Sequence, residues 1–82
     1  MKYDDFLKWL QDECGMSERS ARDVVSRSKR ALVITKQKTI DSQSMNLLTA
    51  SEEFIGCSMS IKSQLKRAVT LYMGFLDSDK VK

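Results

Sequence analysis

The sequence predicts an all-α fold, a compact bundle of four helices. Three observations carry that prediction. The 82 residues contain no proline and only three glycines, too little punctuation for a many-stranded β fold. Two long segments repeat apolar residues at three- and four-residue steps, the period of an amphipathic helix. The apolar content of 41% is ordinary, so the chain should bury a core and fold. A chain of this length is one small domain with a thin core.

The first element is "KYDDFLKWLQDEC". Tyr3, Phe6, Leu7, Leu10 and Cys14 form one helix face. Trp9 falls off that stripe, at the edge of the core or under another element. Asp4 and Asp5 occupy the first turn, where negative charge suits the positive end of the helix dipole. Gly15 stands where a left-handed C-terminal cap wants glycine.

Ser17 is a good N-cap for a second helix from Glu18 to about Val33. On a helical wheel Ala21, Val24, Val25, Ser28, Ala31 and Leu32 fall on one side. Arg19, Arg22, Arg27, Lys29 and Arg30 fall on the other, with Asp23 and Ser26 among them. "TKQKTIDSQS" loses the period and reads as a loop anchored by Ile40.

Thr49 followed by Glu52 is a capping-box pattern. It predicts a short third helix from about Ala50 to Ile55, with Phe54 and Ile55 inward and Gly56 as its end. "MNLL" before it is a turn, or part of a longer helix from about Gln43. "SMSIKSQLKRAVTLYMGFL" is the fourth helix, capped by Ser58 or Ser60. Its apolar face is Ile61, Leu65, Ala68, Val69, Tyr72, Phe75 and Leu76, flanked by Lys62, Lys66 and Arg67. The domain is expected over residues 1–76, and "DSDKVK", residues 77–82, reads as a frayed polar tail.

Composition argues against several chemistries. No histidine is present, which removes the commonest general base and the commonest zinc ligand. Cys14 and Cys57 form no CxxC pair, so neither a zinc site nor a thioredoxin-like site is expected. Two buried free thiols are expected, with a disulfide between them left open. Asp4, Asp5, Asp12 and Glu13 read as solvated charges on the first helix, and a general acid–base pair among them is not expected. There is no P-loop or glycine-rich phosphate cradle. The prediction is a non-enzymatic chain with no cofactor and no metal. The charged start at Met1–Lys2–Tyr3 does not read as a signal peptide, and no apolar run reaches a membrane span.

The functional signal is where the charge sits. The formal net charge is only +3. Between residues 17 and 38, however, Arg19, Arg22, Arg27, Lys29, Arg30, Lys36 and Lys38 face only Glu18 and Asp23. Salt bridges at i,i+4 cannot account for most of those cations. Such a line of cations can match duplex phosphates and release condensed counterions. The plainer alternative is a solvated helix face. Lys62, Lys66 and Arg67 add a second basic cluster on the other long helix.

The order "FLKWLQDECGMSERSARDVVSRSKRAL", a polar joint, "TASEEF" and "SIKSQLKRAVTLYMGFL" resembles the N-terminal core-binding domain of tyrosine recombinases, the phage-integrase type with a SAM-like helical fold. The matching elements are Phe6-Leu7-x-Trp9-Leu10, Gly15-x-Ser17, the Thr49 entry to a short helix, and Tyr72-x-x-Phe75-Leu76. They cover nearly the whole chain and consist mainly of apolar spacing and caps.

The resemblance implies a four-helix SAM-like module that grips one face of double-stranded DNA during integration or recombination. In that family a separate C-terminal domain carries the tyrosine nucleophile and its Arg, His and Lys companions, and this chain has no room for it. The expectation is therefore binding without cutting, in the cytoplasm at the nucleoid, with a catalytic domain or partner protein outside this chain. The DNA-contacting set is Arg19, Arg22, Arg27, Lys29, Arg30, Lys36, Lys38, Lys62, Lys66 and Arg67. Two rival readings stay open. One is a protein-interaction domain with an exposed apolar patch around Trp9, Met16, Met45 or Met59. The other is a small helix-turn-helix regulator using "CGMS" as its turn.

Overall fold

The computed structural model describes the backbone of residues 3–81 and the side chains of residues 3–78. The chain is an all-α bundle, as its sequence predicts. It has five described helices: the short helix expected from about Ala50 to Ile55 is a single turn at Glu52–Ile55, and "MNLL", expected as a turn or as part of one longer helix, lies in a separate helix, Ser44–Ala50. They are α1 (Tyr3–Asp12), α2 (Glu18–Thr35), α3 (Ser44–Ala50), α4 (Glu52–Ile55) and α5 (Met59–Val81). The two long helices, α2 and α5, pack on each other. α1 lies against both, and α3 packs on α2, α4 and α5.

The apolar stripes explain that arrangement. Phe6 and Leu10 of α1, Ala21, Val24, Val25, Ala31 and Leu32 of α2, and Leu65, Ala68, Val69, Tyr72 and Phe75 of α5 are buried in one core. Phe6 is its aromatic centre. Its ring meets Tyr72 edge-on at 4.8 Å and Phe75 at 5.5 Å, spacings at which aromatic pairs attract beyond the area they bury. Trp9 lies half-buried over Phe6, Phe75 and the bare backbone of Gly74. Ser28 is a polar residue inside the stripe, and its hydroxyl donates to the Val24 carbonyl at 3.0 Å.

Local chemistry sets the helix ends. Ser17 accepts from the Ser20 amide at 3.2 Å as the N-cap of α2. Gly15 has φ +67° between α1 and α2, a conformation glycine adopts without steric cost. α2 continues past Val33 to Thr35 and buries Ile34. It ends at Lys36, a non-glycine residue with φ 58° and ψ 31°. The Lys36 and Gln37 amides close that end on Val33 and Leu32 carbonyls.

The segment after α2 is a built loop. Ile40 anchors it, fully inside the core. The buried Ser44 hydroxyl accepts from the Asp41 amide at 2.8 Å and donates to Gln37 Oε1 at 2.7 Å.

Several expectations are corrected. Thr49 is not a cap: it lies inside α3, and its hydroxyl donates to the Met45 carbonyl at 3.0 Å, the back-bonding a mid-helix threonine readily makes. Ile55 is 58% exposed. α4 is a single turn, so neighbouring side chains point about 100° apart and burying Phe54 turns Ile55 outward. Both cysteines are free, but Cys14 is exposed and Cys57 half-buried, because α1 ends at Asp12 before its stripe reaches Cys14. Of the two proposed caps on α5, Ser58 accepts the Ile61 amide at 3.3 Å. α5 is helical through Val81 rather than ending near Leu76, and Lys82 lies outside the described residues.

Among the described residues, no helix is long and apolar enough to cross a membrane.

Candidate nucleic-acid interface

The cations of α2 follow three lines rather than one. Arg19 and Arg30 stand about 20° apart on the wheel and roughly 16 Å apart along the axis, about five base-pair steps of a duplex. Both are exposed on the outer face. Arg22 and Lys29 form a second line, roughly 80° away on the α1 side. Arg27 turns roughly 70° the other way, towards α5.

The two cations on the α1 side already have neighbours within the protein. Lys29 Nζ lies 4.6 Å from the Tyr3 ring centroid, a cation–π contact. Arg22 pairs with Glu18 at 2.8 Å, the one ion pair among the described residues. Tyr3, Arg22 and Lys29 border a shallow cleft of about 310 Å³ that also takes in Asp4, Leu7, Val25 and Ser26. Burial pushes the Tyr3 hydroxyl above its ordinary pKa of 10.0, and the nearby Tyr72 adds to the shift.

The α5 side differs. Arg27, half-buried, and Arg67, exposed, line one cleft of about 180 Å³ between the two long helices. Ser20, Asp23, Val24 and Gln64 complete its walls. Neither guanidinium has an ion-pair partner within 4.0 Å among the described residues.

The cluster expected on α5 therefore divides. Arg67 stands about 100° from Lys66 and 140° from Lys62 on the wheel, and it joins Arg27. Lys62 and Lys66 point to the opposite flank, with Nζ atoms 5.9 and 6.0 Å from the Phe54 ring centroid. Lys36 and Lys38 are exposed at the end of α2 and in the following loop. The structure thus brings Arg27 and Arg67 together, aligns Arg19 with Arg30, and sets Lys62 and Lys66 apart.

Sequence reasoning missed Ser20 and Gln64 as neighbours of the paired arginines. Asp23–Arg27 and Gln64–Arg67 are one-turn spacings that show which side chains share a flank. Only the packing of α2 on α5 shows that the two flanks meet. Among the described residues, no three His, Cys, Asp or Glu side chains gather as metal ligands.

No family model, no curated protein and no solved structure matches this chain.

Proposed function

We propose that the chain is a non-catalytic domain that binds double-stranded DNA through the outer face of α2 and its border with α5. The observation that carries this reading is the exposed line of Arg19 and Arg30 beside the unpaired Arg27 and Arg67. Arginine presents a planar fork of donors that suits phosphate oxygens. Lys36 and Lys38, exposed at and just beyond the C-terminal end of α2, add two further cations to the reading. Lys29 and Arg22 contribute less, because each already has a partner in the fold. Lys62 and Lys66 face another flank and lie outside a single duplex contact.

The likeness to the core-binding domain of tyrosine recombinases supplies a mode for this reading: one face of the duplex gripped here, and catalysis supplied by a separate domain. Its support is apolar spacing and the Gly15-x-Ser17 joint, since Thr49 lies inside α3 and opens no helix, so the proposal rests first on charge placement. Fluorescence anisotropy of a labelled duplex against ionic strength tests it. Absence of binding at low salt would end the reading.

One observation favours a second reading, a protein-interaction domain. Ile55 and Met59 flank the turn between α4 and α5 and are both well exposed, while Trp9, Met16 and Met45 are packed against the core. A mass that rises with concentration in light scattering would support this reading over the first.

A further inference from the structure

The cleft between α2 and α5 differs from the rest of the basic surface. Elsewhere among the described residues the cations stand singly in water, rest over an aromatic ring, or pair with an acid. Here two guanidiniums from different helices border one concave space. Ser17 donates to the Ser20 hydroxyl oxygen at 3.2 Å, which leaves the Ser20 proton free to point elsewhere. The Gln64 side chain and both guanidiniums line this space, and neither guanidinium has an ion-pair partner within 4.0 Å among the described residues. Asp23 brings the only negative charge to the walls, without closing an ion pair on either arginine. The cleft therefore offers many donors and a net positive charge in a space that accepts a phosphate group with some of its water.

We propose that Arg27 and Arg67, with Ser20 and Gln64, form a two-helix subsite that seats one phosphodiester group of the DNA backbone, and that Asp23 is its internal competitor. The inference takes its ligand from the DNA-binding reading above. Two forks approaching from two directions can each give parallel hydrogen bonds to phosphate oxygens, whereas a lysine acts as a point charge. The subsite is a fixed point that sets the register of the protein on the duplex. Arg19 and Arg30 add a diffuse attraction.

Two titrations test this and separate it from the broader reading. In the first, dimethyl phosphate, a phosphodiester without sugar or base, is added to the full chain at low ionic strength. The arginine Nε–Hε signals are followed by NMR. Saturable shifts are expected at Arg27 and Arg67 at lower concentration than at Arg19 or Arg30. Arg67→Gln should weaken binding about tenfold, the scale of a lost charge-assisted hydrogen-bond pair, and Arg67→Lys about threefold. Asp23→Asn should tighten it about twofold or more by removing an anion from the wall. A misfolded variant would not produce that gain. Equal shifts at all arginines, or no gain with Asp23→Asn, would overturn the subsite.

The second titration uses a labelled duplex with the same variants. Dimethyl phosphate binding without duplex binding would overturn the DNA reading and keep an anion subsite. Duplex binding that ignores Arg27→Lys and Arg67→Lys would overturn the subsite and keep the DNA reading.

Discussion

Lys29 Nζ sits 4.6 Å from the centroid of the Tyr3 ring and so ties α2 to α1. A cation that reads in the sequence as free for a partner is engaged within its own fold. Replacing Lys29 with Gln should destabilise the protein by about 0.5–1 kcal/mol, the worth of an exposed cation–π contact. Urea unfolding measures that loss. The same substitution should weaken duplex binding less than Arg30→Gln, whose side chain has no such contact.

Tyr3 makes the same corner sensitive to alkali. Burial, with a smaller contribution from Tyr72, raises its pKa above 10.0. The folded state therefore favours the neutral phenol. The stability linked to that preference is fully present below about pH 10 and is lost as pH rises through the folded-state value. The absorbance titration of the parent minus that of Tyr3→Phe should show a phenol ionising later than the ordinary value. A midpoint at or below 10 in that difference would contradict the packing described for Tyr3.

Lys36 holds a left-handed conformation that side chains avoid, with φ 58°. Glycine adopts it without the clash between Cβ and the backbone. Lys36→Gly should stabilise the chain by about 1 kcal/mol and, in the DNA-binding reading, weaken binding by the loss of one cation. Opposite signs in thermal unfolding and in duplex affinity are the expected result. A drop in both would mean that the capping geometry does not govern the end of α2.

Among the described residues, Ser44 and Ser28 are the two buried polar residues of the core, and they should respond differently to alanine. Ser44 serves the Asp41 amide and Gln37 Oε1. Ser44→Ala leaves both without that partner and should cost about 1–3 kcal/mol. Ser28 donates only to the Val24 carbonyl one turn earlier, an oxygen already within the helix ladder. Ser28→Ala should stay within about 0.5 kcal/mol, since alanine favours the helix. Denaturant midpoints of the two variants decide the matter.

The long helices were legible in the sequence because each carries many apolar residues at helical spacing. Ser17, Gly15 and Ile40 were legible from residue type and position alone. The Thr49 cap was misread because Thr-x-x-Glu fits a capping box equally well when the threonine can bond back along its own helix. Ile55 was misplaced because one turn is too short for periodicity to choose a face. The α2 cations were visible as a set, but their division depends on neighbours. Tyr3 takes Lys29, Glu18 takes Arg22, and the packing of α5 on α2 brings Arg67 to Arg27. None of those meetings follows from the spacing within one helix.

The salt dependence of duplex binding tests the central claim most directly. A labelled duplex is titrated with the parent chain and with Arg19→Gln/Arg30→Gln over a range of ionic strengths. The parent should bind at low salt, with log K falling linearly against log salt concentration. The double variant should bind more weakly, with a slope smaller by about two, close to one released counterion for each cation removed. No binding by the parent, or an unchanged slope in the double variant, would contradict the claim that the outer face of α2 meets DNA.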